Sequence, residues 1–268
     1  MNFKEIINKY TNDGYNYLAA SSKACQDVIL SKIAKSSLSQ NVTIKGGVVI
    51  HNISDDKRRA TRDFDFDFIR YSLEDESIQK FICILNDVND GISIKITSSL
   101  EELKHQEYKG KRLTVELTDN EHNKTEIKFD IGVHKRFNIE QDEYCFELSN
   151  LSESVQLLVN SKKQIFTEKL TSLLKLGRFS VRYKDLFDFY YFINTAGMDT
   201  NKLKNCFAEY IFNAQGMKET SVDEIYERLK SIFRDKNYLK NANSAHNNWL
   251  ELPINEVTEN VLAYIKKL

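Results

Sequence analysis

Up to about residue 160 the chain carries short runs in which apolar and polar residues alternate: Val42–Lys45, Asp63–Phe68, Gly91–Ile96, Arg112–Leu117 and Glu126–Ile131. Period-two runs bounded by Asn, Asp and Gly predict strands with one face in a core. Asp75–Leu85 instead sets Ile78, Phe81, Ile82 and Leu85 at helical spacing and predicts a crossover helix, and residues 3–37 also read as helical. Beyond residue 160 the periodicity turns helical almost throughout, over Lys162–Lys175, Tyr183–Asn194, Asn201–Phe212, Val222–Phe233 and Asn255–Lys267. Gly177, Gly197 and Gly216 fall between these segments, where helices stop at least cost. The pattern predicts an α+β chain: a mixed sheet with flanking helices over residues 1–160, then an all-helical part over residues 161–268.

Composition narrows the class. With 268 residues, 41% hydrophobic and 29% charged, the chain can bury a real core, and no apolar run approaches the roughly 20 residues that span a bilayer. Met1–Tyr10 interrupts its apolar residues with Lys4, Glu5 and Lys9, unlike a secretory leader, so the expectation is a soluble, cytoplasmic protein without a membrane partner. Cys25, Cys83, Cys145 and Cys206 stand far apart and predict reduced thiols. Five histidines, including His105, show no ligand spacing. A net charge of −1 leaves any attraction for a polyanion to a local patch.

The sharpest chemical feature is Asp63-Phe64-Asp65-Phe66-Asp67-Phe68. On a strand, three carboxylates line one face and three phenylalanines the other. The acidic face is either a solvated edge or a seat for a divalent cation, which would offset the mutual repulsion of the carboxylates. Upstream, Lys45-Gly46-Gly47 follows an apolar run and reads as a plain turn or as a loop whose backbone N–H groups approach an anion. Asp130, in a strand centre where aspartate is disfavoured, is a third candidate carboxylate or one half of a surface ion pair.

The helical part adds Lys169, inside the apolar stripe of Lys162–Lys175, and Asp185 and Asp188, in a segment that is aromatic or apolar nearly all round. Charges so placed need partners, either one another or a bound anion. Lys57, Arg58, Arg59, Arg62 and Arg70 form a basic cluster beside the acidic run, suited to guiding RNA or forming an ordinary solvated loop. The lone Trp249 and the amphipathic last helix belong to the core or to a partner surface.

Lys45-Gly46-Gly47, Arg59-Ala60-Thr61-Arg62-Asp63-Phe64-Asp65-Phe66, Glu168-Lys169-Leu170 and Arg182-Tyr183-Lys184-Asp185-Leu186-Phe187-Asp188, in this order, resemble the AbiEii-type nucleotidyltransferases. These are toxins of bacterial abortive-infection toxin–antitoxin pairs, within the DNA polymerase β-like superfamily. The resemblance implies Asp63 and Asp65 as a metal pair with Asp130 as third carboxylate, and Gly46, Gly47 and Lys169 as nucleotide contacts. Asp185 and Asp188 fall in the family's final acidic motif. It further implies Mg²⁺ as cofactor, an NTP as substrate, NMP transfer to an acceptor such as a tRNA 3′ end, a cognate antitoxin and a role in phage defence. A non-catalytic nucleotide-binding module and an antibiotic nucleotidyltransferase stay open as alternatives, as does which two of Asp63, Asp65 and Asp67 hold the metal.

Overall fold

The computed structural model describes residues 2–103, 110–136, 138–195 and 197–268; His105 lies outside them. The chain divides into two compact units, Met1–Asn160 and Ser161–Leu268.

The first unit is a mixed sheet of eight strands with flanking helices. Its strands are β1 (Val42–Ile44), β2 (Asp63–Phe68), β3 (Ile92–Ile96), β4 (Glu101–Leu103), β5 (Gly110–Asp119), β6 (Lys124–Val133), β7 (Asp142–Leu148) and β8 (Glu153–Val159). Their order is β3-β5-β6-β2-β1-β8-β7, and β4 pairs with β5. The central pair β2/β6 is parallel, whereas β1/β2 and β5/β6 are antiparallel. The acidic strand therefore runs through the middle of the sheet, not along an edge as a solvated face would.

What holds β2 there is its apolar side. Phe64, Phe66 and Phe68 are fully buried, and Phe66 meets Phe129 of β6 and Phe81 with ring centroids 5.5 Å apart. Edge-to-face and tilted pairs of this kind add to the area term. Phe81 lies on helix α4 (Asp75–Asn86), whose buried Ile78, Phe81, Ile82 and Leu85 are the stripe read from the sequence. Helices α1 (Phe3–Asn12) and α2 (Tyr17–Lys35) replace the single helical stretch expected over residues 3–37. The break follows from Gly14 at φ 95° and from Asn16, whose side chain accepts the Ala19 N–H and caps α2. Gln26 of buried α2 donates to the Thr61 carbonyl at 3.0 Å, fixing the entry to β2.

Lys45-Gly46-Gly47 is not a plain turn: Gly46 opens helix α3 (Gly46–Ser54) straight after β1. The strands β4, β7 and β8 also go beyond the runs read from alternation.

The second unit is helical: α5 (Lys162–Leu176), α6 (Lys184–Thr195), α7 (Thr200–Phe207), α8 (Val222–Ile232), α9 (Lys236–Ala242) and α10 (Ile254–Lys266). Gly177 ends α5 at φ 58°, a left-handed backbone that glycine adopts without cost. The expected Asn201–Phe212 helix changes at Ala208 into a π-helical turn. Val257, Val261 and Ile265 of α10 are buried, and Trp249 is 1% exposed, so both belong to the core of this unit. All four cysteines are free thiols.

Candidate active site

Asp63 and Asp65 project from the same face of β2, opposite the phenylalanines, and both are half-buried. The parallel register sets Asp65 beside Asp130 of β6 and Asp63 beside Lys128. Adjacent strands stand about 4.8 Å apart, so Asp65 and Asp130 are immediate neighbours on that face. Burial and the Asp130 charge both push the Asp63 carboxyl above its ordinary range, against the pull of Arg112, Lys128 and Arg62.

Asp67 is set apart from this pair. It is 5% exposed and its Oδ1 forms an ion pair with the Lys45 ammonium. Its register partner is Gly132, where a Cβ would run into the Asp67 carboxylate. The glycine makes the space, and the lysine supplies the charge that lets a carboxylate be buried in the sheet. Asp67 is thus tied into the scaffold, leaving Asp63 and Asp65 as the pair facing outward.

Gly46 explains the glycine pair at the start of α3. It sits at φ 66°, and a Cβ there would collide with the Asp65 carboxylate. At Gly47 a Cβ would stand 2.8 Å from Cβ and Oγ1 of Thr61. Two glycines therefore let the N-terminus of α3, whose first backbone N–H groups have no partner within the helix, lie directly against Asp65 and Thr61.

Asp130 receives the Arg112 guanidinium on both oxygens, Nε at 2.7 Å and Nη2 at 2.6 Å. Arg112 lies opposite Asp130 in the β5/β6 register, and its charge is further held by Asp63 and Asp65. Sequence reasoning passed over Arg112, Gly132 and the Lys45–Asp67 pair. Recognising the β5/β6 hairpin would have exposed Arg112: pairing Asp119 with Asn123 across its tip and counting back places 112 opposite 130.

The donor set of Asp63, Asp65 and Asp130 consists of hard carboxylate oxygens on one sheet face, which fits a divalent cation such as Mg²⁺. Among the described residues, however, no three His, Cys, Asp or Glu side chains stand in a formed ligating cluster. With its two oxygens on Arg112, Asp130 is turned to a cation the protein itself supplies.

Within the helical unit, Lys169, Asp185 and Asp188 are buried together, 4%, 6% and 0% exposed. The Lys169 ammonium pairs with Asp185 and, at 3.1 Å, with Asp188 Oδ2. Arg182 Nε donates to Asp185 at 2.8 Å, and the Trp249 indole N–H donates to the other oxygen of Asp188 at 3.1 Å. The internal lysine–aspartate bridge is therefore formed. Of the basic cluster, Arg59 is buried, Arg58 pairs with Asp56 at 3.0 Å and Lys57 donates to the Asp13 carbonyl, while Arg62 and Arg70 are exposed.

No curated protein gives a significant match to the chain. Among solved structures it is similar to an antigenic nucleotidyltransferase-like protein from Paracoccidioides brasiliensis, at 16% identity over 83% of this chain and 91% of that one, with a TM-score of 0.48. The model of the family described as "Nucleotidyl transferase AbiEii toxin, Type IV TA system" matches residues 28–252, from inside α2 to just past Trp249. That span takes in the acidic strand, the glycine pair, Asp130 and the buried lysine–aspartate cluster, and the chain belongs to the AbiEii family of nucleotidyltransferase toxins of type IV toxin–antitoxin systems.

Proposed function

We propose that the chain transfers a nucleoside monophosphate from an NTP to an RNA acceptor, with a tRNA 3′ end the leading acceptor, in a reaction dependent on Mg²⁺. The single observation that carries this reading is the placement of Asp63 and Asp65 on one face of β2, with Asp130 in register beside Asp65 and the glycine-opened helix α3 against it.

Asp63, Asp65 and Asp130 would hold the metal. Bound there, a divalent ion neutralises triphosphate charge and lowers the pKa of a nearby hydroxyl. Gly46 and Gly47 bring the N-terminus of α3 against Asp65, where its first N–H groups would meet a phosphate oxygen held beside that carboxylate. Asp130 would take the proton of the acceptor hydroxyl. The oxygen of that hydroxyl bonds to the α-phosphorus as the bond to the α–β bridging oxygen breaks, and pyrophosphate leaves with that electron pair. The protein positions groups and offsets charge, as in other phosphoryl transfers. Lys169 would contact a phosphate, as the family resemblance implies, only on leaving its buried bridge to Asp185 and Asp188 in the helical unit. Exposed Arg62 and Arg70 would draw the polyanion. A cognate antitoxin would act on this activity in a bacterial cytoplasm, as part of phage defence.

Purified protein incubated with each labelled NTP, Mg²⁺ and total tRNA should label RNA at its 3′ end. The Asp63→Ala, Asp65→Ala double variant should stay folded by circular dichroism and lose the labelling. Transfer at the wild-type rate by that variant would end the reading; label appearing on protein or on an aminoglycoside instead would replace the acceptor.

A further inference from the structure

Arg112 lies outside the acidic run and outside the four segments that carry the family resemblance. Its fork covers both oxygens of Asp130, yet its side chain is 43% exposed while that of Asp130 is 13% exposed. Lys45, which neutralises the scaffold carboxylate Asp67, is by contrast 16% exposed, and its ammonium lies over the space that Gly132 leaves. One carboxylate thus has an enclosed, permanent cation, and the other has a cation on a long stem with a free path into solvent. Across the sheet the register runs Arg112, Asp130, Asp65, so the guanidinium stands on the far side of Asp130 and its charge is still felt by Asp63 and Asp65. A divalent ion drawing on Asp130 and the guanidinium of Arg112 would be competing for the same two oxygens.

We propose that Arg112 is a tethered competitor of the divalent metal: it holds Asp130 until the metal arrives, then hands the carboxylate over and turns its fork onto the phosphates of the nucleotide. The inference rests on the metal site proposed above and adds an exchange to it. Planar guanidinium matches a carboxylate and a phosphate edge equally well, with two parallel N–H donors in each case, so the same side chain can serve both positions. The device keeps three close carboxylates from repelling one another before metal binds. It also prevents a base at Asp130 from being available until metal and nucleotide are both present.

The test uses the full chain without NTP turnover. Mn²⁺ is titrated by calorimetry and electron paramagnetic resonance into wild type, Arg112→Gln and Arg112→Lys, and inorganic pyrophosphate is then titrated at saturating Mn²⁺. Removing a half-exposed bidentate competitor should tighten Mn²⁺ binding roughly three- to tenfold in Arg112→Gln, with Arg112→Lys between it and wild type. Pyrophosphate binding should weaken by a similar factor, a shift of opposite sign that a merely structural arginine would not produce. If wild type and Arg112→Gln bind Mn²⁺ equally, or the variant binds it more weakly, Arg112 does not compete; unchanged pyrophosphate affinity likewise overturns the exchange. If neither protein binds Mn²⁺ and Asp65→Asn changes nothing, the metal site itself is wrong, a result distinct from failure of Arg112 alone.

Discussion

Replacing Gly46 with alanine puts one methyl group at the junction of α3 and Asp65, and the consequence can be worked from two separate costs. The first is backbone strain, because Gly46 sits at φ 66° and an alanine there costs about 1 kcal/mol. The second is the collision of the new Cβ with the Asp65 carboxylate, which must leave its rotamer at a cost of about 1 kcal/mol. The sum of about 2 kcal/mol should lower the melting temperature of the first unit by several degrees. Gly216→Ala is the control, since Gly216 has φ 84° but nothing lies within 4 Å of the place its methyl group would take, and it should carry the strain alone. The functional readout separates the two costs. Displacing Asp65 should weaken Mn²⁺ affinity roughly tenfold or more, the range seen when a group supporting a metal ligand is lost. Gly216→Ala should leave that affinity alone. Adding Gly46→Ala to Asp65→Asn should then cost little extra affinity, since the displaced carboxylate is already gone. Wild-type metal affinity and NMP transfer in Gly46→Ala would refute the argument that this glycine exists to admit Asp65.

Three further outcomes follow from the same contacts. Asp67→Asn should destabilise the first unit by about 2 kcal/mol, because it strands the Lys45 ammonium, while Mn²⁺ affinity changes less than threefold; loss of metal binding there, with binding retained in Asp63→Asn, would reverse the assignment of the pair. Asp188→Ala should cost about 3 kcal/mol or more by leaving Lys169 and the Trp249 N–H without it in a closed interior, and urea unfolding followed by the fluorescence of the single tryptophan reads this unit directly. In the first unit, burial pushes the Asp27 carboxyl above the ordinary range, against the pull of Lys23, which pairs with it at 2.6 Å. The folded state then holds that proton longer than the unfolded state, so this group's contribution to stability is full below the ordinary carboxylate pKa and lost as pH rises toward the folded value. Asp27→Asn should remove that part of the slope in urea titrations across mildly acidic pH; an unchanged slope would refute the assignment.

Alternation alone was enough to find β2 with its bounds, because three phenylalanines in period two have only one way to be buried together, and the same logic found α4 from Ile78, Phe81, Ile82 and Leu85. It was not enough for the start of α3. Gly46-Gly47 lacks a side-chain cap and has the composition of a turn, and only the packing of Asp65 and Thr61 against the glycines makes the helix begin there. β4 escapes for a related reason: Glu101-Glu102-Leu103 has no apolar alternation of its own and is a strand because β5 offers it a free edge. In the site, the carboxylates were legible one by one and their partners were not. Asp63, Asp65 and Asp67 look equivalent in the sequence, since local alternation treats them alike.

What separates the three is register, a property of β2 against its neighbours. Position 67 falls opposite Gly132 and within reach of Lys45, so its charge is absorbed into the scaffold; position 65 falls opposite Asp130, so two like charges are forced side by side. A sheet centre does not tolerate that arrangement without a cation, and the chain meets the need with a residue from the next strand, Arg112, that is bonded through two hydrogen bonds yet still open to water. On the reading proposed above, what separates the scaffold carboxylate Asp67 of β2 from the metal-holding Asp130 of β6 is the exposure of its counter-charge. An enclosed ammonium cannot be exchanged for a metal without opening the sheet, whereas a solvent-facing guanidinium can leave by rotating its own side chain.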